Sequence, residues 1–373
     1  MRHYRAAVGA VAALALVVIT PAAANAHGGG GGGDPVVTVA GGLDGPRQLS
    51  YYKDGNLIVA ESDTGEVSSV NPHGGSVRTL LSGLGNAQGV DYENDRFYVA
   101  VGEAGGPPPE EGAPAAAAPP AGTPSQVLLE IKPNGHITRS WDLLQYELRK
   151  NPDRQVQFVD DEPVDTLSNP FSVLAQRHRV LVSDAGANAV ISIDLRTGKP
   201  STFFVPPVVR GGACETAPNN PGTTGCDPVP TEITQGPDGL IYVGTLGAEV
   251  PGAGRVYVLN QHGKVVKVIK HLTSVTGVAV AKDGSVFVSN VFAGAPEGPP
   301  PPDFDPSTLG DITKISPNGR RYTADVTMPT GLEIKDGKLY ASAWSVAGFF
   351  APPGSPAVGE VQVIGHRAFS AAT

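Results

Sequence analysis

The sequence predicts an all-β fold: a six-bladed β-propeller of four-stranded antiparallel blades, with the last blade closed by the N-terminal strand. Three observations predict it: a repeated turn-and-strand unit, columns of fixed side-chain size within that unit, and a valine-rich segment that fits a missing strand. The repeated unit is a turn, often Asp-Gly, followed by a β-rich segment, at residues 54–60, 94–100, 177–183, 238–244, 283–289 and 336–342. Several short strands repeated every few tens of residues are typical of propellers, in which each unit forms one blade.

The innermost strand of each blade comes first in the unit. It begins with a proline in four units, where no ladder donor is yet needed. The six segments are 46–49, 87–90, 170–173, 230–233, 275–278 and 329–332. The repeated turn then joins this strand to the second strand in a tight hairpin.

The second strand has two columns of contrasting side-chain size. The small column is Ala60, Ala100, Ser183, Gly244, Ser289 and Ser342. The large column, two residues earlier, is Ile58, Tyr98, Leu181, Tyr242, Phe287 and Tyr340. Because the sides of a strand alternate, these columns predict large-against-small packing between neighbouring blades.

The third and fourth strands complete each blade except the last. Third strands begin near residues 65, 125, 188, 254, 310 and 359, and fourth strands span 77–81, 137–141, 201–205, 265–269 and 321–326. The sixth unit lacks a fourth strand. The segment Val36–Val39, followed by Gly41-Gly42-Leu43, resembles the outer strand at 79–84. We therefore expect it to close the last blade and remove the open sheet edges.

The first residues have the pattern of an export signal. Arg2 and Arg5 precede an apolar run at 6–19 that is too short to span a bilayer, and Ala24-Asn25-Ala26 is a small-x-small cleavage pattern. We predict a Sec-type signal peptide at 1–26, a Gly-rich linker at 27–34, a propeller at 35–367 and a tail at 368–373. The product would be secreted, either extracellular or periplasmic, without membrane insertion.

Charge and cysteine content agree with export. The formal net charge of −9, without basic clusters, is poorly suited to nucleic acid or anionic lipid. Cys214 and Cys226 are the only cysteines and lie in one Gly/Pro-rich stretch. In an oxidising compartment such neighbours favour a disulfide, and two thiolates without a nearby His make a poor zinc site.

Insertions vary the spacing between units and are places where specificity can reside. They lie at 105–124, 141–167, 211–228, 293–309 and 344–356, and the second of them has helical apolar spacing from Asp142. Those in the second, fifth and sixth blades, with 247–252 in the fourth, fall between strands two and three. We expect these to crowd one face of the disc.

Two aligned columns should line the central channel at the start of the innermost strands. One is Arg47, Gln88, Phe171, Thr231, Thr276 and Thr330; the other is Gln48, Gly89, Ser172, Glu232, Gly277 and Gly331. Gln48 and Glu232 stand out because the other four members of their column are Gly or Ser. Polar residues at a wet axis need no ligand, and a buried Arg47–Glu232 ion pair is a second structural interpretation.

A third column supplies oxygen donors that a hard cation such as Ca²⁺ prefers. Glu61, Asp184 and Asn290 follow second strands and, with Glu232, are the candidate metal ligands. The alternative is that they cap turns and bond to the backbone of their own blades, as Asp and Asn often do. The sequence contains no His-Glu-x-x-His pair, nucleophile elbow or phosphate-binding glycine loop.

The ordered set of blades resembles the ScyD/ScyE family of exported proteins, among the NHL/TolB-like six-bladed propellers. The segments that carry it are Gly45-Pro46-Arg47-Gln48-Leu49, Asn169-Pro170-Phe171, Val229–Ile233, Gly236–Gly244 and Leu272–Val278. The resemblance covers about all of the chain after the leader. It implies an exported propeller of unassigned biochemical role.

Related propellers offer two enzymatic comparisons. Gluconolactonases hold a channel metal with a Glu, two Asn and an Asp, whereas the positions here carry Gln48 or Arg47, Ser172, Glu232 and Thr276. Streptogramin lyases use a catalytic His with a metal, and no His stands in a channel column of this chain.

Two functions follow as hypotheses. The first is a secreted non-catalytic scaffold, monomeric, that binds an extracellular protein, peptide or glycan on its loop-rich face. The alternative is a metal-assisted hydrolase or lyase, gluconolactonase-like, with its site at the channel and a divalent cation as cofactor. A bound axial metal, or activity lost in Glu232→Ala without loss of fold, would favour the enzyme. An exposed apolar patch among the insertions would favour binding.

Overall fold

The computed structural model describes residues 35–104, 122–296, 301, 303–351 and 354–372. The predicted signal peptide at 1–26, the linker at 27–34 and most of the insertion at 105–124 lie outside these residues, as do residues 297–300 of the fifth-blade insertion.

The strands follow the predicted order. In chain order the first elements are β1 (Val36–Leu43); blade 1, β2 (Pro46–Tyr51), β3 (Leu57–Glu61), β4 (Glu66–Val70), β5 (Val77–Leu81); blade 2, β6 (Ala87–Glu93), β7 (Arg96–Val101), β8 (Val127–Ile131), β9 (Ile137–Asp142); then α1 (Leu143–Lys150), β10 (Phe158–Val159) and β11 (Glu162–Pro163). Blade 3 contains β12 (Pro170–Gln176), β13 (Arg179–Asp184), β14 (Ala189–Asp194) and β15 (Pro200–Phe204).

The second half repeats the arrangement. Blade 4 contains β16 (Pro230–Gln235), β17 (Ile241–Thr245), β18 (Gly254–Leu259), β19 (Val265–Leu272); blade 5, β20 (Val275–Val280), β21 (Val286–Asn290), β22 (Asp311–Ile315), β23 (Arg321–Asp325); blade 6, β24 (Leu332–Lys335), β25 (Lys338–Ala343), β26 (Gly359–Ile364); and β27 is Ser370–Ala371. Short 3₁₀ helices span Lys53–Gly55, Gly212–Cys214, Pro306–Thr308, Ala347–Phe349 and His366–Ala368.

The N-terminal strand closes the ring, as predicted. The last sheet has the order β1-β26-β25-β24, so its outermost strand comes from the beginning of the described chain. Antiparallel pairing runs from Val36 opposite Ile364 to Leu43 opposite Gly359. The prediction of an all-β, six-bladed propeller of four-stranded antiparallel blades is therefore confirmed.

The described part of the segment predicted as a tail, 368–372, contains a short strand. Ser370 and Ala371 form β27, which pairs with Thr323 and Tyr322 of β23 and adds a fifth strand to blade 5. The Phe369 ring lies 5.6 Å from the Phe287 ring, centroid to centroid. The described end of the chain thus packs on a blade, and its strand is too short to give a periodic sequence signal.

Apolar clusters lie between successive blades. The large column packs forward: Ile58 of blade 1 contacts the cluster around Val90 and Phe97 of blade 2. Tyr98, Leu181, Tyr242, Phe287 and Tyr340 occupy the same role at the next five junctions. Residues two apart share one side of a strand, so the small column faces the next blade too. A Cβ on Gly244 would lie 2.8 Å from Val275 Cγ1, which shows how closely the next blade approaches there.

The long insertions share one face of the disc. Antiparallel order places the loops from strand two to three on the same side as the connections between blades, and we call this side the insertion face. Loops from blades 4, 5 and 6 pack together around Val291, Met328 and Val346. The predicted disulfide between Cys214 and Cys226 is formed and packs beside Ala253 of the fourth-blade loop. None of the helices in the described part of the chain has the length and apolar character needed to cross a bilayer.

Candidate functional site

A β-bulge recurs at the start of the innermost strands. The register shifts between Pro46 and Leu49 in blade 1, and at the equivalent place in blades 2 to 5. The bulged positions are the first predicted channel column: Arg47, Gln88, Phe171, Thr231 and Thr276. Because a bulge redirects its side chain, residues at these positions can turn away from the channel and contact a neighbouring blade.

Threonines at the start of three innermost strands join neighbouring blades. Thr231 Oγ1 donates to the carbonyl of Val275 at 2.5 Å, and Thr276 Oγ1 donates to that of Pro329 at 3.0 Å. Thr330 Oγ1 closes the series by donating to the carbonyl of Pro46 at 3.0 Å. Thr276, predicted as a channel candidate, therefore links blade 5 to blade 6.

The Gln48 side chain of blade 1 forms hydrogen bonds with the backbone of blade 3. Its Nε2 donates to the carbonyl of Val173 at 2.8 Å, and its Oε1 accepts from the Val173 amide at 2.9 Å. The same Nε2 lies 3.3 Å from Glu232 Oε1, so the two predicted residues of this column do meet. Gly89 makes room, because a Cβ there would lie 2.7 Å from Gln48 Oε1.

Two axial carboxyl groups, Asp91 and Glu333, were not predicted from the sequence. Asp91 and Glu333 stand two residues beyond the Gln48–Glu232 column in blades 2 and 6, with partial solvent contact. Asp91 accepts from Ser50 Oγ and from the Ala175 amide, both at 2.8 Å. The signal that could have found them is the i+2 position on the same side of the same strand.

These carboxyl groups share the axis with Glu232. Burial raises the pKa of Glu333 to about 8, with Asp91 adding to the effect. Burial likewise raises the pKa of Glu232 well above its ordinary value, with Glu333 and Asp91 contributing, and raises that of Asp91. Near neutral pH the axis therefore holds protons that an exposed carboxyl would have lost.

Arg47 is buried at the insertion-face end of the axis. Its Nε donates to Ser62 Oγ at 3.0 Å, and the guanidinium carbon lies 6.0 Å from the centre of the Phe349 ring. Burial lowers the pKa of Arg47, while Asp63 acts in the opposite direction. No salt bridge joins Arg47 to Glu232, although both residues lie in the described part of the chain.

Gln88 carries an unused acceptor at the same end. Its Nε2 donates to Asn86 Oδ1 at 2.7 Å. Its Oε1 has no hydrogen-bond partner among the residues that the structure describes, and the side chain is only 6% exposed. Gly102 packs over it, since a Cβ there would lie 3.0 Å from Gln88 Cγ.

Three of the four predicted metal ligands bond to groups near their own strands, whereas Glu232 accepts from Gln48 of blade 1. Glu61 Oε2 accepts from the Asp44 amide at 2.8 Å. Asp184 accepts from Ser168 Oγ at 2.7 Å and from the Asn169 amide at 2.6 Å, and burial raises its pKa to about 6. Asn290 Nδ2 donates to Asp311 Oδ1 at 2.6 Å.

A Ca²⁺ site fits these residues poorly. Across the described ranges, no three His, Cys, Asp or Glu side chains form a group able to hold a metal ion. Glu61, Asp184 and Glu232 thus do not form such a group, and each carboxylate already accepts at least one hydrogen bond from a nearby protein group.

The insertion between blades 2 and 3 carries a projecting hairpin. Strands β10 and β11 form a two-stranded sheet that belongs to none of the blades. Its turn places Asp160 and Asp161 at φ of 53° and 64°, the left-handed pair of a tight hairpin. Val156, Phe158 and Val159 are 46%, 46% and 44% exposed. Three exposed apolar side chains therefore lie within four residues of the chain, on β10 or just before it.

Solved structures share the fold at low identity. A luciferin-regenerating enzyme superposes with a TM-score of 0.53 and 10% identity, over 91% of this chain and 97% of the other. A gluconolactonase of Xanthomonas campestris gives 0.50 and 9%, over 88% and 89%. A streptogramin B lyase gives 0.47 and 11%, over 88% and 96%. At these identities the likeness shows the fold alone. No family model and no curated protein matches the chain.

Proposed function

We propose that this chain is an exported, non-catalytic β-propeller that binds an extracellular protein, peptide or glycan on its insertion face. The observation that carries the proposal is the β10–β11 hairpin: Phe158 and Val159 of β10, and Val156 just before it, are exposed outside the blades. Apolar side chains grouped on a projecting element are typical of interaction sites, whereas singly scattered ones are not.

The use of the axial side chains supports a binding role. Gln48 is bonded to Val173, and Thr276 to Pro329, so both serve the assembly of the blades. A catalytic channel needs side chains that are free to meet a substrate. Residues of the insertion-face loops can instead be used for binding, because changes in loops do not disturb the packing of the blades.

Family membership and export are part of this proposal. We infer that the chain belongs to the ScyD/ScyE family on the five segments quoted above. We further propose a Sec signal peptide at 1–26 and a linker at 27–34, with the propeller acting as a monomer outside the cytoplasmic membrane. The Cys214–Cys226 disulfide supports an oxidising compartment.

A metal-assisted hydrolase or lyase is the second candidate. It is favoured by Asp91, Glu232 and Glu333, whose carboxyl groups share the axis with raised pKa values. A divalent cation such as Ca²⁺ would stabilise the charged form of these carboxylates. It ranks second because no three acidic or other ligand side chains in the described residues group to hold a metal.

The test compares two sites in one protein. Immobilised wild-type protein is challenged with extracellular material from its host, beside a variant with Val156→Ser, Phe158→Ser and Val159→Ser. We expect retention of a defined partner by the wild type and its loss in the variant. Metal analysis and lactone hydrolysis are measured in parallel on wild type and Glu232→Ala. A stoichiometric metal, with turnover that Glu232→Ala abolishes, would replace the binding function by the enzymatic one.

A further inference from the structure

Arg47 differs from the threonines of its column in what its side chain bonds. Thr231, Thr276 and Thr330 each donate to a carbonyl of the next blade. The Arg47 side chain makes one hydrogen bond, from Nε to Ser62 Oγ of its own blade. The joining of blades therefore does not account for an arginine at this position.

The terminal nitrogens of Arg47 have no protein acceptor. Within the part of the chain that the structure describes, neither Nη1 nor Nη2 donates a hydrogen bond, and no carboxylate forms a salt bridge with the guanidinium. The side chain is only 6% exposed. Both Nη atoms nevertheless keep some contact with solvent, because neither is among the fully buried polar atoms that lack a partner. A guanidinium held largely out of water, with unused donors, favours an anionic partner that can still reach it.

Three segments of the chain meet at this guanidinium. The Phe349 ring centre lies 6.0 Å from the guanidinium carbon, and Phe349 is 53% exposed. Ser62 Oγ, which accepts from Arg47 Nε, donates to Asp63 Oδ1 at 2.8 Å. A Cβ on Gly348 would lie 2.5 Å from Asp63 Oδ2, so the blade 6 loop packs directly on this residue. An exposed apolar ring and a cation with free donors are thereby held side by side at the insertion-face end of the axis.

Asp63 limits the kind of anion that this place accepts. Its charge acts on Arg47, raising the pKa of the guanidinium against the effect of burial. Asp63 is exposed, so water screens its charge, whereas an anion at the Nη atoms would pair with them directly. Repulsion from Asp63 is smaller for a singly charged carboxylate than for a doubly charged phosphate. The arrangement therefore favours a carboxylate.

We propose that Arg47 binds the C-terminal carboxylate of an extracellular peptide, whose apolar last side chain packs on the Phe349 ring. The two Nη atoms form a planar fork that matches the two oxygens of a carboxylate. A peptide C-terminus carries its carboxylate and its last side chain on one carbon atom, which suits a cation and a ring 6.0 Å apart. The inference rests on the proposed binding function and names the part of the partner that is bound at the axial end of the insertion face.

The test titrates the tripeptide N-acetyl-Ala-Ala-Phe, as the free acid, into the whole protein and follows binding by NMR and calorimetry. We expect saturable binding to the wild type, and at least about tenfold weaker binding of the C-terminal amide of the same tripeptide. Arg47→Met keeps the apolar stem and should weaken binding of the acid by a similar factor. Phe349→Ala should also weaken it, whereas Asp63→Asn should tighten it about two- to threefold by removing a like charge.

Two controls accompany these variants. Arg210→Met removes an exposed arginine beside the Cys214–Cys226 loop and should bind the acid as the wild type does. Methyl glucuronide carries a carboxylate without an apolar side chain, and we expect it to bind more weakly than the tripeptide acid. Equal or tighter binding of the glucuronide would replace the peptide by an acidic glycan.

The inference fails if the acid does not bind, if acid and amide bind equally, or if Arg210→Met weakens binding as much as Arg47→Met does. It also fails if Asp63→Asn weakens binding of the acid. Should Arg47→Met not fold, the comparison of acid with amide and the Asp63→Asn variant still decide the matter. The proposed function has its own readout: a partner retained through Phe158, by a protein that does not bind the tripeptide acid, overturns this inference alone.

Discussion

Gln48 and Val173, 125 positions apart, pair through two hydrogen bonds of 2.8 and 2.9 Å. The carboxamide of one blade occupies the backbone donor and acceptor of a strand two blades away, passing over Gly89. The side chain thereby takes the place that another strand would have on the axial edge of β12. This pairing explains why a polar residue can be buried at the axis without serving a ligand.

Replacing Gln48 by Leu should destabilise the fold. The substitution leaves the Val173 N–H and C=O buried without partners, and we expect a loss of about 3 kcal/mol in the free energy of unfolding. Urea denaturation measures it. Gln145→Leu, on the exposed side of α1, is the matched control and should change stability by less than about 0.5 kcal/mol. Equal effects of the two substitutions would show that the cross-ring pairing contributes nothing.

Deleting Val36–Val39 should weaken the whole propeller. These residues supply the first pairs of β1 with β26, and their loss exposes a strand edge on blade 6. We expect a single, lower melting transition, with a cost of about 3 kcal/mol from lost burial and ladder bonds. Removal of 370–373 is the comparison, since it deletes only the two described pairs of β27. Closure by β1 is refuted if the first deletion melts like the intact protein.

The axial carboxyl groups should make the protein less stable in alkali. Glu333 has a folded pKa of about 8, above that of an unfolded carboxyl. The folded protein therefore binds the proton more tightly, and stability falls as pH rises from about 4.5 to 8. We expect a loss of about 1–2 kcal/mol from this group, allowing for its partial solvent contact.

Glu333→Gln, which mimics the protonated carboxyl, should flatten this pH dependence in thermal melts between pH 5 and 9. Glu215→Gln should leave the dependence as in the wild type. A wild-type melting temperature that rises over this range would contradict the raised pKa.

Loss of the disulfide should loosen the insertion face more than the blades. Cys214 and Cys226 close a loop with a sequence separation of 12, which corresponds to about 3 kcal/mol in the chain-entropy model. In Cys214→Ser/Cys226→Ser we expect faster proteolysis between these positions, with the blades protected. Hydrogen exchange measures both regions together. Unchanged exchange in the loop would show that packing beside Ala253 alone fixes it.

Much of the fold followed from local chemistry. The large and small columns were visible because every blade meets its neighbour in the same way, as Ile58 and Tyr98 do. The role of β1 as an outer strand could be predicted because the sixth unit lacks a fourth strand of its own. The pairing of Ser370–Ala371 was not, because a two-residue edge strand leaves no periodic pattern.

The candidate site was harder to derive because side-chain direction depends on backbone detail. The bulge at the start of the innermost strands directs Thr276 to a neighbouring carbonyl, and a sequence column cannot show such a bulge. Gln48 and Glu232 were correctly grouped, since both lie on one side of equivalent strands. Asp91 and Glu333 lay two residues beyond the alignment column and were missed.

The most direct test of binding on the insertion face measures which side chains a retained partner needs. Its Kd is determined for wild type, for Val156→Ser/Phe158→Ser/Val159→Ser, and for Glu232→Gln, which keeps the protonated shape of the axial carboxyl. We expect at least about tenfold weaker binding for the triple Ser variant and an unchanged Kd for Glu232→Gln. The opposite pattern, with the hairpin dispensable and Glu232 required, would contradict binding on the insertion face.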